Sequence, residues 1–294
     1  MERPPTIAIC VGATKAGTSW LYEQLAAHPE CHFRTIKELH FFDAMAHGWA
    51  GEQIAAQRAD LVRFRGWLAT VPPEQVARVE QRIVDVTEWI AVLERGDGDL
   101  AGYVGYLLEG RNGRSVVGEV TPAYSKLNRA VLRRIAGMAA DVRIIYLMRD
   151  PVARMWSHVR MLAERQADRA GPFGKRARAV FDEVVAVDPL VQHRGDYAKA
   201  LDKLTAAVAP DKLLVLFSEE MTTETGMRRI WDFLGVAPVE ARTDRRVHEG
   251  MPLAMSRDQR TRARAALMPQ YRAVAKRFAA LPEAWVRSME EVAA

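Results

Sequence analysis

Cysteine is nearly absent: Cys10 and Cys31 are the only two in the chain. Two residues cannot build a disulfide framework, and their spacing matches no metal-ligand pattern, so both read as reduced core thiols, which suits the cytoplasm. No uncharged apolar run reaches the ~18 residues that a membrane-spanning helix needs. The opening "MERPPTIAICVG" places an acid, a base and two prolines before a short apolar run, unlike the hydrophobic region of a secretory signal. The expectation is a soluble, cytoplasmic protein without stable membrane insertion. Lysine is missing from one long segment: between Ala44 and Ser115 there are eight arginines, ten acids and no lysine, which leaves little net field for a polyanion. Internal repeats and low-complexity tracts are also lacking.

What is present is a chain of 294 residues, 49% hydrophobic, long enough to bury a full core. We read residues 1–294 as a single domain. The net charge of +5 is uneven, with eleven Lys and Arg against four acids between Arg242 and Arg287. That excess is open to two readings, a solvated helix face or a surface that holds an anion.

Short apolar runs alternate with stretches of helical period, which predicts an α/β fold with a parallel sheet and crossover helices. The predicted strands are Thr6–Val11, Ser115–Gly118, Arg143–Met148 and Lys212–Phe217. The predicted helices carry the stripes Leu127/Val131/Ile135/Met138, Val152/Trp156/Val159, Tyr197/Leu201/Leu204/Val208 and Met227/Ile230/Trp231/Leu234. Residues 44–115 contain helix formers, five Trp and Tyr residues and no strand pattern before Ser115, and read as a helical insertion. The glycines, proline and charges of "DRAGPFGKRAR", Asp168–Arg178, predict a mobile loop.

Between the first strand and the first helix lies "GATKAGTSW", Gly12–Trp20. A Walker A loop is G-x-x-x-x-G-K-[ST]. Gly12 and Gly17 keep the glycine spacing, but Thr18 stands where the Walker lysine would be, and Lys15 lies inside the loop. The loop falls at the carboxyl edge of the sheet and opens a helix, so free backbone N–H groups, the helix dipole and the Thr18 and Ser19 hydroxyls favour a phosphate or sulfate there. A plain glycine turn with an exposed lysine is the competing reading. In "VRIIYLMRDPVARMWSHVRM", Arg149 ends a strand on the same edge and Ser157 lies about two helical turns further on. Together they could clamp a second phosphate, or be an Arg149–Asp150 surface pair and an ordinary helix serine.

Taken together, these stretches resemble the PAPS-dependent sulfotransferases, which transfer a sulfuryl group from 3′-phosphoadenosine 5′-phosphosulfate (PAPS) to a hydroxyl or amine. The resemblance implies a P-loop-like parallel sheet flanked by helices. The family loop T-K-x-G-T matches Thr14, Lys15, Gly17 and Thr18, and implies that Thr14, Lys15, Ala16, Gly17, Thr18, Ser19 and Trp20 hold the 5′-phosphosulfate without a metal. The family's arginine and serine, eight residues apart, match Arg149 and Ser157 and imply a 3′-phosphate site. "KELHFFD", Lys37–Asp43, looks like the E-x-H-F-F-D stretch of the heparan sulfate sulfotransferase branch and makes Glu38 the implied base, with His40 an alternative base or an orienting group. "GEVTPAYS", Gly118–Ser125, is similar to that branch's E-K-x-P-A-Y, except that the lysine which supports the sulfuryl group there is Val120 here. The implied reaction yields adenosine 3′,5′-bisphosphate (PAP), and the acceptor is expected to be a small-molecule, lipid or glycan species, small or amphiphilic rather than heparan. Two rivals remain at this level: a P-loop kinase using ATP, and a nucleic-acid binder using the basic stretch Met255–Phe278. The core stripe Leu267/Tyr271/Val274/Phe278 argues against nucleic acid as partner.

Overall fold

Each residue of the first strand, β1 (Thr6–Gly12), is buried, and this is why the strand reads as an unbroken apolar run rather than an alternation. The computed structural model describes residues 4–96, 98–166, 171–191, 193–241 and 250–290. After β1 come α1 (Thr18–Ala27) and β2 (Cys31–Phe33), then four consecutive helices, α2 (Phe41–His47), α3 (Ala50–Leu68), α4 (Pro73–Glu94) and α5 (Leu100–Leu108), before β3 (Val116–Val120). The chain between β2 and β3 is therefore helical. The chain continues through α6 (Arg129–Ala136), β4 (Val142–Met148), α7 (Pro151–Arg165), α8 (Phe173–Val187), α9 (Tyr197–Ala207) and β5 (Leu213–Phe217), and then α10 (Ser218–Met221), α11 (Glu224–Leu234), α12 (Arg257–Ala275) and α13 (Glu283–Glu290).

Among the described residues the five strands are all parallel, in the order β2-β3-β1-β4-β5. Because the chain departs to opposite sides of β1, the carboxyl ends of β1 and its neighbours border a crevice, the usual ligand position in open α/β sheets. Cys10 and Cys31 are buried and unpaired, and burial pushes both thiols up to about 12.

Several expectations need correction. β2 went unpredicted: its three residues, "CHF", are too short and too mixed to show a period. β3 runs to Val120 rather than ending at Gly118. Of the expected loop 168–178, residues 168–170 lie outside the described residues, and Phe173–Arg178 form the start of α8. The reason is a buried stripe, Ala177/Val180/Phe181/Val184, whose first member sits inside the charged run. Leu127 and Met138 flank α6 rather than belonging to it, because Asn128 caps its start by accepting from Val131 N–H at 3.0 Å and Gly137 caps its end.

In α12, Leu267, Tyr271 and Val274 are core, while Arg262 points outward to Asp182 at 2.7 Å. Phe278 lies just beyond the helix, edge-on to Phe217. Residues 242–249 of the basic segment lie outside the described residues.

The insertion is tied to the sheet by charge. Arg34, just after β2, pairs with Asp85 of α4 at 2.9 Å, with both side chains buried, and also meets Glu88. Asp85 further accepts from the Thr35 N–H and hydroxyl, each at 2.6 Å. Helix α4 thereby fixes the chain two residues before Lys37. Asp85→Ala removes the buried carboxylate from a buried guanidinium, leaving it only the half-exposed Glu88, and is expected to cost about 3–5 kcal/mol of stability. Urea unfolding measures it; a loss below about 1 kcal/mol would show that the pair contributes little to the fold.

Candidate active site

The loop between β1 and α1 turns on Gly17, whose φ of +87° is left-handed and whose added Cβ would come within 2.9 Å of Met221 Cε and 3.1 Å of Ser218 Oγ. Glycine meets both demands. No side chain caps α1 at this end, so the first-turn N–H groups of Thr18, Ser19 and Trp20 remain open donors at the positive end of the helix dipole. Thr14, Lys15, Gly17, Thr18, Ser19 and Trp20 line one wall of a cleft of about 640 Å³. Ala16 is fully buried behind the loop, and its N–H is taken by the Ala13 carbonyl.

The second wall comes from the end of β4 and from α7. Arg149 and Ser157 both line the cleft, and the Arg149 guanidinium reaches the Lys15 carbonyl at 3.4 Å. Asp150 does not pair with Arg149. It caps α7 through Ala153 N–H at 2.8 Å and accepts from the Tyr271 hydroxyl at 2.6 Å. Further along the same helix, Arg160, Met161, Glu164 and Arg165 also line the cleft. Sequence reasoning missed them, although Ser157, Arg160, Met161 and Glu164 follow the i, i+3, i+4, i+7 pattern of one helix face. Burial lowers the pKa of Lys15; Glu164 opposes this, while Arg149, Arg160 and Lys37 add to it by like-charge repulsion. Buried Nε atoms of Arg160 and Arg194 lack hydrogen-bond partners. Crowded cations with unused donors are relieved by an anion.

The third wall is Lys37 and Glu38, together with Pro122. Glu38 pairs with Lys37 Nζ at 2.6 Å and with His40 Nε2 at 3.4 Å, and His40 Nδ1 meets Asp43 at 2.8 Å. Burial pushes the Glu38 carboxyl up, but His40 and Lys37 outweigh it and hold it down at about 2. Burial pushes His40 down, and its two carboxylate partners more than reverse this, to about 9. At neutral pH Glu38 is therefore a carboxylate and His40 an imidazolium. His40 does not itself line the cleft; it stands behind Glu38.

The "GEVTPAYS" stretch holds this turn in place. Glu119 is fully buried, accepts from the Tyr103 hydroxyl at 2.6 Å, the Tyr124 hydroxyl at 2.8 Å and the Leu39 N–H at 3.1 Å, and is also bonded by Thr121. Leu39 N–H also reaches Thr121 Oγ1 at 3.0 Å, and Phe41 N–H reaches the Tyr124 hydroxyl at 2.9 Å. Val120 is buried in the core, and its N–H bonds the Lys37 carbonyl at 3.1 Å. The chain at Lys37 thus runs beside the position where the related motif has lysine. Arg194, from the loop before α9, completes the cleft; nothing in its local sequence signals a site. From the basic C-terminal segment, Gly250 and Met251 line the cleft among the described residues.

A model of the sulfotransferase family matches residues 5–240. No curated protein sequence matches the chain. Among solved structures, a sulfotransferase from Alicyclobacillus acidocaldarius is similar over 97% of this chain and 99% of its own, at 21% identity and a TM-score of 0.58; that likeness is one of fold. The sulfotransferase domain from the curacin biosynthetic pathway aligns at 17% identity over 80% of this chain and 75% of its own, with a TM-score of 0.48. The sulfotransferase domain of the Synechococcus PCC 7002 olefin synthase aligns at 17% identity over 90% and 95%, with a TM-score of 0.46. With the family model spanning most of its length and ending well beyond the α7 wall of the cleft, the chain belongs to the sulfotransferase family.

Proposed function

We propose that this single-domain protein transfers the sulfuryl group of PAPS to a hydroxyl or amine of a small or amphiphilic acceptor, using the cleft described above. The observation that carries this reading is the meeting of Lys15, the open first turn of α1, Arg149 and Ser157 in one cleft. Its size, about 640 Å³, lies within the range of small-molecule sites. The residues fit a donor with two anionic ends: Thr14 to Trp20 would hold the phosphosulfate, and Arg149 with Ser157 the 3′-phosphate. PAPS supplies the sulfuryl group, which leaves the phosphate oxygen as the acceptor oxygen or nitrogen bonds to sulfur.

This chain's residues act on the two ends of that transfer. Glu38 takes the acceptor's proton. Lys15 and the loop N–H groups neutralise the charge that the phosphate oxygen gains as its bond breaks. A carboxylate held at about 2 is a weak base, but an attacking alcohol becomes strongly acidic once its oxygen binds sulfur, so late proton transfer suffices. Lys37 supplies the positive charge missing at Val120. If the sulfuryl oxygens draw its ammonium away from Glu38, the base strengthens at the moment it is needed. His40 and Asp43 hold Glu38 in position. The likeness of "KELHFFD" to the heparan sulfate branch supports these assignments, while the acid-balanced insertion favours a smaller acceptor. The proposed location is the cytoplasm; among the described residues, no helix is long and apolar enough to cross a membrane.

Calorimetry in EDTA tests the donor. PAP is expected to bind at least about a hundredfold more tightly than ADP or ATP, since each nucleotide lacking the 3′-phosphate forgoes charge-assisted bonds worth about 1.5–3 kcal/mol apiece. Tighter, magnesium-dependent ATP binding would make the protein a kinase instead.

A further inference from the structure

A second depression adjoins the cleft. It has a volume of about 510 Å³ and is lined by His47, Lys126, His193, Lys199 and Lys203 against one acid, Asp196. Three elements run from one depression into the other. The turn Pro122–Lys126 begins at Pro122 in the cleft and ends at Ser125 and Lys126 in the second pocket. Arg194 lines the cleft, and its neighbour His193 lines the pocket. Helix α2 has His40 behind Glu38 at its start and His47 in the pocket at its end.

The cations in this pocket divide by role. Lys203 is committed to the fold, donating to the Ser125 carbonyl at 2.7 Å and the Leu127 carbonyl at 2.9 Å. Asp196 is committed to capping α9 and to Gln270. His47 Nδ1 bonds the Asp43 carbonyl at 2.7 Å. The ammonium groups of Lys126 and Lys199 pair with no carboxylate among the described residues. Arg194 stands between the two depressions, close enough to Glu38 and Asp43 to feel both charges, and it repels Lys126. A molecule whose nucleophile lies at Glu38 and whose body passes Arg194 would end beside the exposed ammonium groups of Lys126 and Lys199, to which an anion adds a charge-assisted partner.

We infer that the acceptor carries an anionic group, a phosphate monoester or a carboxylate, which Lys126 and Lys199 hold in this second pocket while the nucleophilic end reaches Glu38. The inference rests on the sulfuryl-transfer reading for the identity of the nucleophilic end. It refines that reading by giving the acceptor a charge and a direction.

Phenols of matched shape test it on the PAP-loaded protein, where the donor's own anion sites are filled. Tyrosol, tyrosol phosphate, p-hydroxyphenylacetate and tyramine serve as probes, with affinity read by calorimetry. The phosphate, the carboxylate or both are expected to bind at least about tenfold more tightly than tyrosol, with tyramine weakest. Their relative order identifies which anion the pocket takes. The preference should shrink as ionic strength rises and disappear in the Lys126→Ala/Lys199→Ala double variant, with PAP affinity unchanged. Equal binding of tyrosol and both anions, or an anion preference that survives the double variant, overturns the inference. Failure of PAP to bind would instead count against the sulfuryl-transfer reading. A lysine-dependent anion preference measured on the bare protein would then still establish the pocket.

Discussion

Glu38→Gln is expected to lower turnover by roughly a hundredfold or more while leaving PAP affinity nearly unchanged, because glutamine keeps the shape of the side chain and cannot accept a proton. The loss should be severe for an alcohol acceptor, whose proton must leave as sulfur is attacked. An amine that binds already deprotonated should be less sensitive, since its lone pair attacks first. The pH profile adds an independent readout. Glu38, held at about 2, is ionised throughout the accessible range, so its titration should not shape the rate near neutrality. His40 has its pKa raised to about 9. Its charged pairing with Glu38 and Asp43 is fully present below its ordinary value of 6.5 and is lost as the pH rises through about 9. An alkaline fall in turnover near pH 9 should therefore appear in the parent protein and vanish in His40→Ala. Near-normal turnover in Glu38→Gln, together with a large loss in His40→Ala, would transfer the role of base to the histidine.

Arg149→Ala should weaken PAP by about 2–5 kcal/mol, the range for truncating one member of a buried, hydrogen-bonded charge pair. Adenosine 5′-phosphosulfate has no 3′-phosphate and should lose far less. Calorimetry with both nucleotides, on both proteins, makes the comparison a double difference in which any general loosening of the loop cancels. That cancellation matters because Arg149 also touches the Lys15 carbonyl, so its removal could disturb the phosphosulfate site as well. Equal losses for the two nucleotides would place Arg149 in support of the loop and leave the 3′-phosphate to Ser157, Arg160 or Arg165.

Much of the architecture was legible in the amino-acid order because it rests on local signals. Four parallel strands were visible as short apolar runs, since strands covered on both faces tolerate few polar residues. The run of helices between Ala44 and Ser115 was visible for the converse reason, a long stretch without strand pattern. The spacing of Gly12, Lys15 and Gly17, and that of Arg149 and Ser157, marked two walls of the cleft because each lies at a strand end or on one helix, where separation in sequence fixes separation in space. By itself the sequence determined the fold class and the position of the loop at the sheet's carboxyl edge.

Tertiary structure alone decided the rest. The three residues of β2 become a strand only because β3 is there to pair with them. Phe173–Arg178 become helix because Ala177 and Phe181 find a core to enter. Arg160 and Arg165 line the cleft because α7 turns that face toward Lys15, and Arg194 because the loop before α9 returns to Glu38 from a distant part of the chain. The ionisation of Glu38 and His40 belongs to the same class. An isolated glutamate and histidine have ordinary pKa values, and only the turn pinned by Glu119, Thr121 and Tyr124 brings Lys37, His40 and Asp43 to the distances that shift them. Contacts between residues far apart in the chain depend on how many elements pack at once, and no local pattern encodes that sum.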